Sequence, residues 1–408
     1  MKTMKVAFLT VGISPVPATK GGAVENLVED LLDENEIKHY VDFSVLSLYE
    51  EKACKKAKGY KNSNFYFIKV PNVIDCIDKG IYWTAKNLLR RSNLISYRYI
   101  LRRLYVMSKY PKILLENDFD RIVLVTNSTL FFVLKNKKVA KKYKEKTIFY
   151  LHNEVRSLFK CEKEAASIRS LIGISEFVND SFRKQVPTLK DEQCFILKNG
   201  VDTVKFTTRN EQRIKEYKNK FGITEKDFVV VFAGRLVDEK GALETIKAIK
   251  ACKDDCIKLL IVGAGFYSSD IVDNYTLELQ KEAEAIKDRI IFTGYIDYND
   301  MPSIYQLGNI AVLPSMWEEP AGMTMVEAVV SGLPLITTNS GGIPEYISDD
   351  VAVLLDRDEN LVDNIRDTIV KIKEHPMEYD YLKENRDKFM EKYKLDKYYN
   401  DFASIIMR

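Results

Sequence analysis

An α/β protein of two doubly wound parallel sheets is the fold class this sequence predicts, and three observations lead there. Short runs rich in β-branched and aromatic residues alternate with helical patterns along the chain, the signature of parallel strands joined by helical crossovers. The rhythm pauses in a polar stretch, 199–226, and restarts at Phe228. The length of 408 residues exceeds what one core holds at roughly 100–200 residues per domain.

In the first half the predicted strands are 5–11, 42–46, 64–70, 121–125, 147–151 and 171–174, with 194–197 as the last. In the second half they are 228–233, 257–262, 289–293, 310–313, 334–337 and 351–355. The Asn199-Gly200 turn signal opens the junction. The expected domains are 1–200, 201–380 and a C-terminal helical piece, 381–408, packing back on the first domain. The tail from Leu361 is charged, Tyr-rich and helical in period, with a break at His375-Pro376.

Composition narrows the function. With 46% hydrophobic and 30% charged residues, the chain buries a substantial interior, which excludes disorder and small disulfide-stapled scaffolds. The charge sum of 62 cations against 59 acids, +3, is too balanced for a general nucleic-acid binder, so no nucleic-acid partner is expected. Three histidines and six scattered cysteines without CxxC spacing argue against a zinc site and for reduced thiols. Cys252 and Cys256 would share a helix face, but no second ligand pair appears. The apolar run 6–11 meets Gly12, Pro15 and Pro17 at once and reads as a strand rather than a signal peptide. No apolar stretch approaches the ~20 residues that span a bilayer.

In open α/β sheets ligands sit at the carboxyl ends of the strands, so the loops after each strand carry the information. After 228–233 comes Gly234-Arg235-Leu236-Val237-Asp238-Glu239-Lys240-Gly241, two cations flanking a turn that opens a helix. A helix N-terminus offers unpaired N–H groups and partial positive charge, which together with Arg235 and Lys240 suit a diphosphate. The plainer reading is two solvated cations on an ordinary turn. After 310–313, Pro320 and Gly322 force a turn into a helix whose first N–H groups, near Gly322, Met323 and Thr324, point above the sheet. Glu319 precedes that helix and Glu327 lies about one and a half turns inside it. Carboxylates are poor phosphate ligands but good acceptors for hydroxyls, so the pair suits a polyol such as a sugar nucleotide. The plainer readings are a helix-dipole partner for Glu319 and a surface residue for Glu327.

Gly234-Arg235 with Lys240-Gly241, followed by Glu319-x7-Glu327 in the setting Glu-Pro-x-Gly…Glu-Ala, resembles the family four retaining glycosyltransferases, glycosyltransferases group 1, of the GT-B fold. Asn199-Gly200-Val201-Asp202, Val262-Gly263-Ala264-Gly265, Phe292-Thr293-Gly294-Tyr295, Gly332-x-Pro334 and Gly341-Gly342-x-Pro344-Glu345 agree with it. These motifs cover about 200–350; the first domain matches only in layout and a few loops. Ala321 departs from the family, which often has an aromatic residue there; packing near the donor sugar is affected, but no ligand is removed.

The resemblance implies two Rossmann-like domains facing a cleft. It implies that Arg235 and Lys240 bind the donor diphosphate, that Glu319 and the amides of Gly322, Met323 and Thr324 meet sugar and phosphate, and that Glu327 takes the ribose hydroxyls. Tyr295 and Ile296 would border the base. From the first domain, Gly21 and Gly22 let backbone N–H groups approach phosphates and acceptor, and His152 contacts the donor sugar, although a lone histidine is more often structural. Ser175 ends the equivalent strand and is a weaker candidate. The implied catalytic set is Glu319, Arg235, Lys240 and His152.

Arg235, Lys240 and the helix N-terminus can stabilise a leaving diphosphate by preorganised electrostatics, so neither a metal nor another cofactor is required beyond the nucleotide-sugar co-substrate. Asp118-Phe119-Asp120 resembles a DxD metal motif but precedes its strand, which puts it at the wrong sheet edge. No residue stands out as general base; the resemblance implies same-face attack, with the departing phosphate oxygen accepting the acceptor's proton.

The insertion 76–119 is far longer than an ordinary 2–6-residue connection. Between Lys79 and Tyr110 it holds eight cations (Lys79, Lys86, Arg90, Arg91, Arg98, Arg102, Arg103, Lys109) and no acid, interleaved with Tyr82, Trp83, Leu88, Leu89, Ile95, Tyr99 and Tyr105. That basic amphipathic pattern suits an anionic membrane surface through 79–110. The expectation is a cytoplasmic enzyme, peripheral on the inner face of the cell membrane, that extends a saccharide or lipid-linked saccharide in cell-surface polysaccharide or glycan biosynthesis. The alternatives are a non-catalytic sugar-nucleotide-binding subunit and an NDP-sugar epimerase or phosphorylase of the same fold. A Rossmann dehydrogenase fares worse, because no GxGxxG follows either opening strand.

Overall fold

The computed structural model describes residues 3–19, 22–88, 99–263 and 274–408. They form two compact units, one comprising 1–200 with 395–408 and the other 201–394.

Unit 1 is built on a seven-stranded sheet in the order β3-β2-β1-β4-β5-β6-β7. The strands are β1 (Met4–Leu9), β2 (Val41–Leu48), β3 (Ser63–Ile68), β4 (Arg121–Val125), β5 (Thr147–Leu151), β6 (Ser170–Gly173) and β7 (Cys194–Ile196). All pairings are parallel, with Val6 opposite Phe43 on one side and Arg121 on the other. Because helices cover both faces of such a sheet, its strands read as nearly continuous apolar runs, and Val6 to Leu9 are fully buried. The chain winds outward from β1 to β3 and returns to β4, so the strand order reverses between β1 and β4.

The C-terminal helix Leu395–Met407 completes this unit. Phe402 stacks on Phe8 at 5.6 Å between ring centroids, and the Tyr150 and Tyr398 hydroxyls share a hydrogen bond of 2.6 Å. The expected boundary at 380 falls inside unit 2, which runs on to Lys394. The cause is aromatic packing that the charge-rich sequence hides: Tyr393 is buried, stacks on Tyr346 and donates its hydroxyl to the Tyr346 carbonyl at 2.6 Å.

Unit 2 has a six-stranded parallel sheet, β10-β9-β8-β11-β12-β13. Its strands are β8 (Phe228–Ala233), β9 (Ile257–Val262), β10 (Ile290–Gly294), β11 (Ile310–Leu313), β12 (Leu335–Thr338) and β13 (Ala352–Leu355). Here the order reverses between β8 and β11, whose register sets Ile310 opposite Val230. The loops leaving these two strands therefore stand side by side, the place where an open α/β sheet binds ligands.

The polar stretch after residue 200 forms helices Thr203–Thr207 and Glu211–Phe221 of unit 2. The insertion in unit 1 folds into helices Asn72–Asn87 and Ile100–Glu116. Asp78, buried, accepts from the N–H groups of Leu101 (2.9 Å) and Arg102 (2.8 Å), neutralising the start of the second helix. No helix among the described residues is long and apolar enough to cross a membrane.

Candidate active site

The two loops at the reversal point of unit 2 are locked together by backbone. Met316 N–H donates to the Glu239 carbonyl at 2.9 Å. Gly241 has φ 72°, and a Cβ there would stand 2.2 Å from the Pro314 carbonyl oxygen, so only glycine permits this approach. A third loop closes from β12: Gly342 N–H donates to the Glu319 carbonyl (2.7 Å) and Gly341 N–H to Glu318 Oε2 (2.7 Å), while Arg357 pairs with Glu318.

Onto this frame the chain brings Lys240 and Glu319 into direct contact, Nζ to Oε2. The Trp317 indole N–H donates to the same oxygen at 2.9 Å, and Lys240 also lies over the Trp317 ring, 5.7 Å from its centroid. Both hydrogen bonds are to Oε2; Oε1 of Glu319 makes no hydrogen bond among the described residues. Arg235, one residue beyond Gly234 at the end of β8, is exposed and has no ion-pair partner among the described residues. Helix Met323–Val330 begins directly after Gly322, which adopts φ 77° and leaves the N-terminus without a side-chain cap. Its first N–H groups thus retain hydrogen-bonding capacity and partial positive charge.

Glu327 is buried on that helix, not the surface residue its plainer reading supposed. Tyr298 donates to Oε1 at 3.0 Å and Tyr305 to Oε2 at 3.4 Å. Burial raises the Glu327 pKa to about 7, partly opposed by the two tyrosine hydroxyls and the Lys205 charge. Lys205 sits over the Tyr298 ring at 4.2 Å. Tyr295 and Ile296 follow β10, with the Tyr295 ring exposed. The sequence reading missed Trp317, Tyr298, Tyr305 and Lys205. Trp317 stood in the inspected loop, two residues before Glu319, and was readable as its partner; Lys205 and the two tyrosines are distant in sequence and carry no local signal.

Unit 1 presents a different set at the carboxyl edge of its sheet. His152 leaves β5 buried, its ring 4.1 Å from that of Tyr150, with neither ring nitrogen in a hydrogen bond of normal geometry. Burial lowers its pKa to about 3, so the imidazole is neutral and can donate at one nitrogen and accept at the other. Gly21 lies outside the described residues, as do Ala264 and Gly265 of unit 2. Gly22 immediately precedes helix Ala23–Lys38. Glu25 in the first turn of that helix has its carboxyl pushed up by burial. With Thr10 and Thr126 it lines a cavity of about 20 Å³ at the β1/β4 reversal. Ser175 accepts from Val178 N–H at 3.3 Å and serves as a helix cap. Asp118 pairs with Lys142 at 2.8 Å, and Asp120 accepts from Lys5 N–H at 2.9 Å, at the amino edge of the sheet. A hollow of about 560 Å³ opens near the amino edge of this unit's sheet, lined by Arg169, Ser170, Cys194 and Arg408 among others, so size alone does not mark the ligand side.

The family model described as glycosyl transferases group 1 matches residues 213–389, nearly the whole of unit 2. A putative glycosyltransferase of Bacillus subtilis, YtcC, is 26% identical over 360 residues, covering 86% of this chain and 79% of the relative. The lipopolysaccharide 1,2-N-acetylglucosaminetransferase of Salmonella typhimurium is 22% identical, covering 85% and 83%. Among solved structures, Anabaena HepE in complex with UDP superposes with a TM-score of 0.72 at 17% identity, covering 98% of this chain and 99% of that one. The fold is that of the GT-B glycosyltransferases, and residues 213–389 of the second unit match the glycosyl transferases group 1.

Proposed function

We propose that the protein transfers a sugar from a nucleoside diphosphate sugar to a saccharide acceptor carried on a lipid, with retention at the anomeric carbon. The observation that carries this reading is the meeting of Lys240 with Glu319 at the strand reversal of unit 2, beside an uncapped helix N-terminus whose helix also holds Glu327. Lys240 and Arg235 take the diphosphate; Glu319, through its free oxygen, and the N–H groups at Gly322, Met323 and Thr324 take sugar hydroxyls and phosphate. Glu327 accepts from the ribose, and Tyr295 with Ile296 borders the base. Gly21, Gly22 and His152 of unit 1 contact phosphate and sugar.

In the reaction the bond from the anomeric carbon to the diphosphate oxygen breaks and a bond to the acceptor oxygen forms on the same face. The acceptor's proton passes to the departing phosphate oxygen. Two cations and a helix N-terminus stabilise that oxygen as charge develops, in the manner of a preorganised oxyanion site. This reading calls for no metal. The UDP complex of HepE and the lipopolysaccharide chemistry in the Salmonella relative's name support a nucleotide donor and a lipid-borne glycan. A thermal-shift panel of UDP, GDP, ADP and dTDP sugars tests the donor: a ligand at 100 times its dissociation constant stabilises by about 2.7 kcal/mol. Failure of every nucleotide sugar to stabilise the protein would sink the reading.

The proposed membrane location rests on exposed apolar residues more than on cations. Arg102 is bound to Asp75 at 2.7 Å and Arg103 lies close to Asp78, so these two cations are neutralised within the fold; Arg90, Arg91 and Arg98 lie outside the described residues. Helix Asn72–Asn87 and the residue after it expose Val73, Ile77, Trp83 and Leu88. Apolar insertion, helped by nearby cations, supports a peripheral enzyme of the inner membrane face. Flotation with phosphatidylglycerol vesicles should carry the protein up, and Trp83→Ser should weaken this. Equal recovery of both variants in the soluble fraction would remove the membrane from the proposal.

A further inference from the structure

The loop that leaves β5 in unit 1 contains an arrangement that packing alone does not explain. Leu158 is 2% exposed and Phe159, next to it, is 51% exposed. Cys161 N–H donates to the Leu158 carbonyl at 3.0 Å, closing a four-residue turn, and both central residues, Phe159 and Lys160, have positive φ, 51° and 59°. Positive φ at both central positions is what a type I′ turn demands, and Asn-Gly or Gly-Gly meets it without strain. A phenylalanine followed by a lysine does not, since a bulky side chain at positive φ is an outlier.

The surrounding bonds hold the strained turn in place. Val155 N–H donates to Ser181 Oγ (3.0 Å), Ser128 Oγ to the Ser157 carbonyl (2.7 Å) and Phe159 N–H to Ser157 Oγ (3.2 Å). The result is an aromatic ring offered to solvent from a held backbone turn, without a ring partner among the described residues, in the loop that leaves the carboxyl end of β5 and seven residues beyond His152 in sequence.

We propose that Phe159 is a stacking platform for a hexopyranose ring of the acceptor saccharide, an inference that rests on the glycosyl-transfer reading above. The ring's π face carries negative charge density, and the C–H face of a pyranose is apolar and weakly positive, so the two attract. Arg156, Ser157 and Lys160, exposed neighbours of Phe159 in the chain, carry hydrogen-bonding groups of the kind that the hydroxyl rim of a sugar takes. A bilayer or a protein partner would call instead for a contiguous apolar patch of some hundreds of Å². One ring in a polar rim fits one sugar.

The test uses the full chain with methyl α-glycosides of glucose, galactose, mannose and N-acetylglucosamine at millimolar concentration, read by saturation-transfer NMR. At least one glycoside should take up saturation on its ring protons from wild type and from Phe159→Trp, and lose about fivefold of that signal with Phe159→Gly, the scale of one aromatic contact. Glycine relieves the turn, so Phe159→Gly should melt at or above the wild-type temperature. An undiminished signal in Phe159→Gly, no saturation in wild type, or a melting point several degrees lower in Phe159→Gly would each overturn the proposal. Thermal shifts with UDP, GDP, ADP and dTDP sugars on the same variants judge the donor reading separately. A nucleotide sugar that stabilises both forms equally leaves that reading intact whichever way the glycosides fall.

Discussion

Units 1 and 2 share one architecture and differ in what they place at the reversal of strand order. In unit 2 the loops after β8 and β11 carry opposite charges in contact, Lys240 on Glu319, and a second carboxylate, Glu327, held by two tyrosines. In unit 1 the same sheet edge carries a neutral buried imidazole, His152, and a half-buried carboxyl, Glu25, raised by desolvation. One edge is organised by charge, which suits the proposed diphosphate; the other is organised by burial and shape, which suits the proposed carbohydrate. A shared fold therefore says little about chemistry, which resides in the loops.

The sharpest way to break this contrast is to remove its charges. Lys240→Ala and Glu327→Ala should each lower sugar transfer by about 10²-fold or more, the scale of losing an electrostatic or positioning contact. Initial rates with the donor identified by thermal shift measure this, and rates within threefold of wild type for both would erase the distinction between the two edges.

The pH dependence of Glu327 sharpens it further. Its folded pKa of about 7 stands above the ordinary 4.5. The folded state thus holds an extra proton between those values, and unliganded stability falls as pH rises through that window, by up to about 3 kcal/mol. Below the window the carboxyl is neutral in both states; above it the loss is complete. Nucleotide affinity should move the opposite way, growing as pH rises through 7 because the ionised carboxylate accepts better from ribose hydroxyls. Glu327→Gln should flatten both trends. Melting curves and nucleotide titrations from pH 5 to pH 8.5 would show it, and identical profiles in the two proteins would disprove the role.

The smallest effect is expected at the amino edge of unit 1. Asp118 is exposed and tied to Lys142, and a surface pair of this kind contributes little. Asp118→Asn should leave transfer within twofold of wild type, with or without added Mg²⁺. A tenfold loss that Mg²⁺ modulates would mean the Asp118-Phe119-Asp120 motif has a metal role after all.

Much of the layout is legible residue by residue. Continuous apolar runs such as Phe228-Val229-Val230-Val231 announce strands buried on both faces, and Gly322 with Pro320 announces the start of helix Met323–Val330. The positions of Arg235, Lys240 and Glu319 in the loops, and of Glu327 on that helix, could be read in the same way. Their partners could not all be, because Tyr298 and Tyr305 reach Glu327 across 29 and 22 residues. The same limit hid Asp75 and Asp78, which answer Arg102 and the following helix from outside the acid-free window 79–110.

Hydrophobic periodicity, turn residues and motif spacing act over short distances, and from them alone come the two parallel sheets, the junction near residue 200 and the identity of the charged loop residues. Which of those charges meet, which is neutralised, and how far Glu327 departs from an ordinary carboxylate depend on groups brought close by the crossing of distant segments. Electrostatic energies vary with separation and burial, and neither quantity exists until the chain has folded.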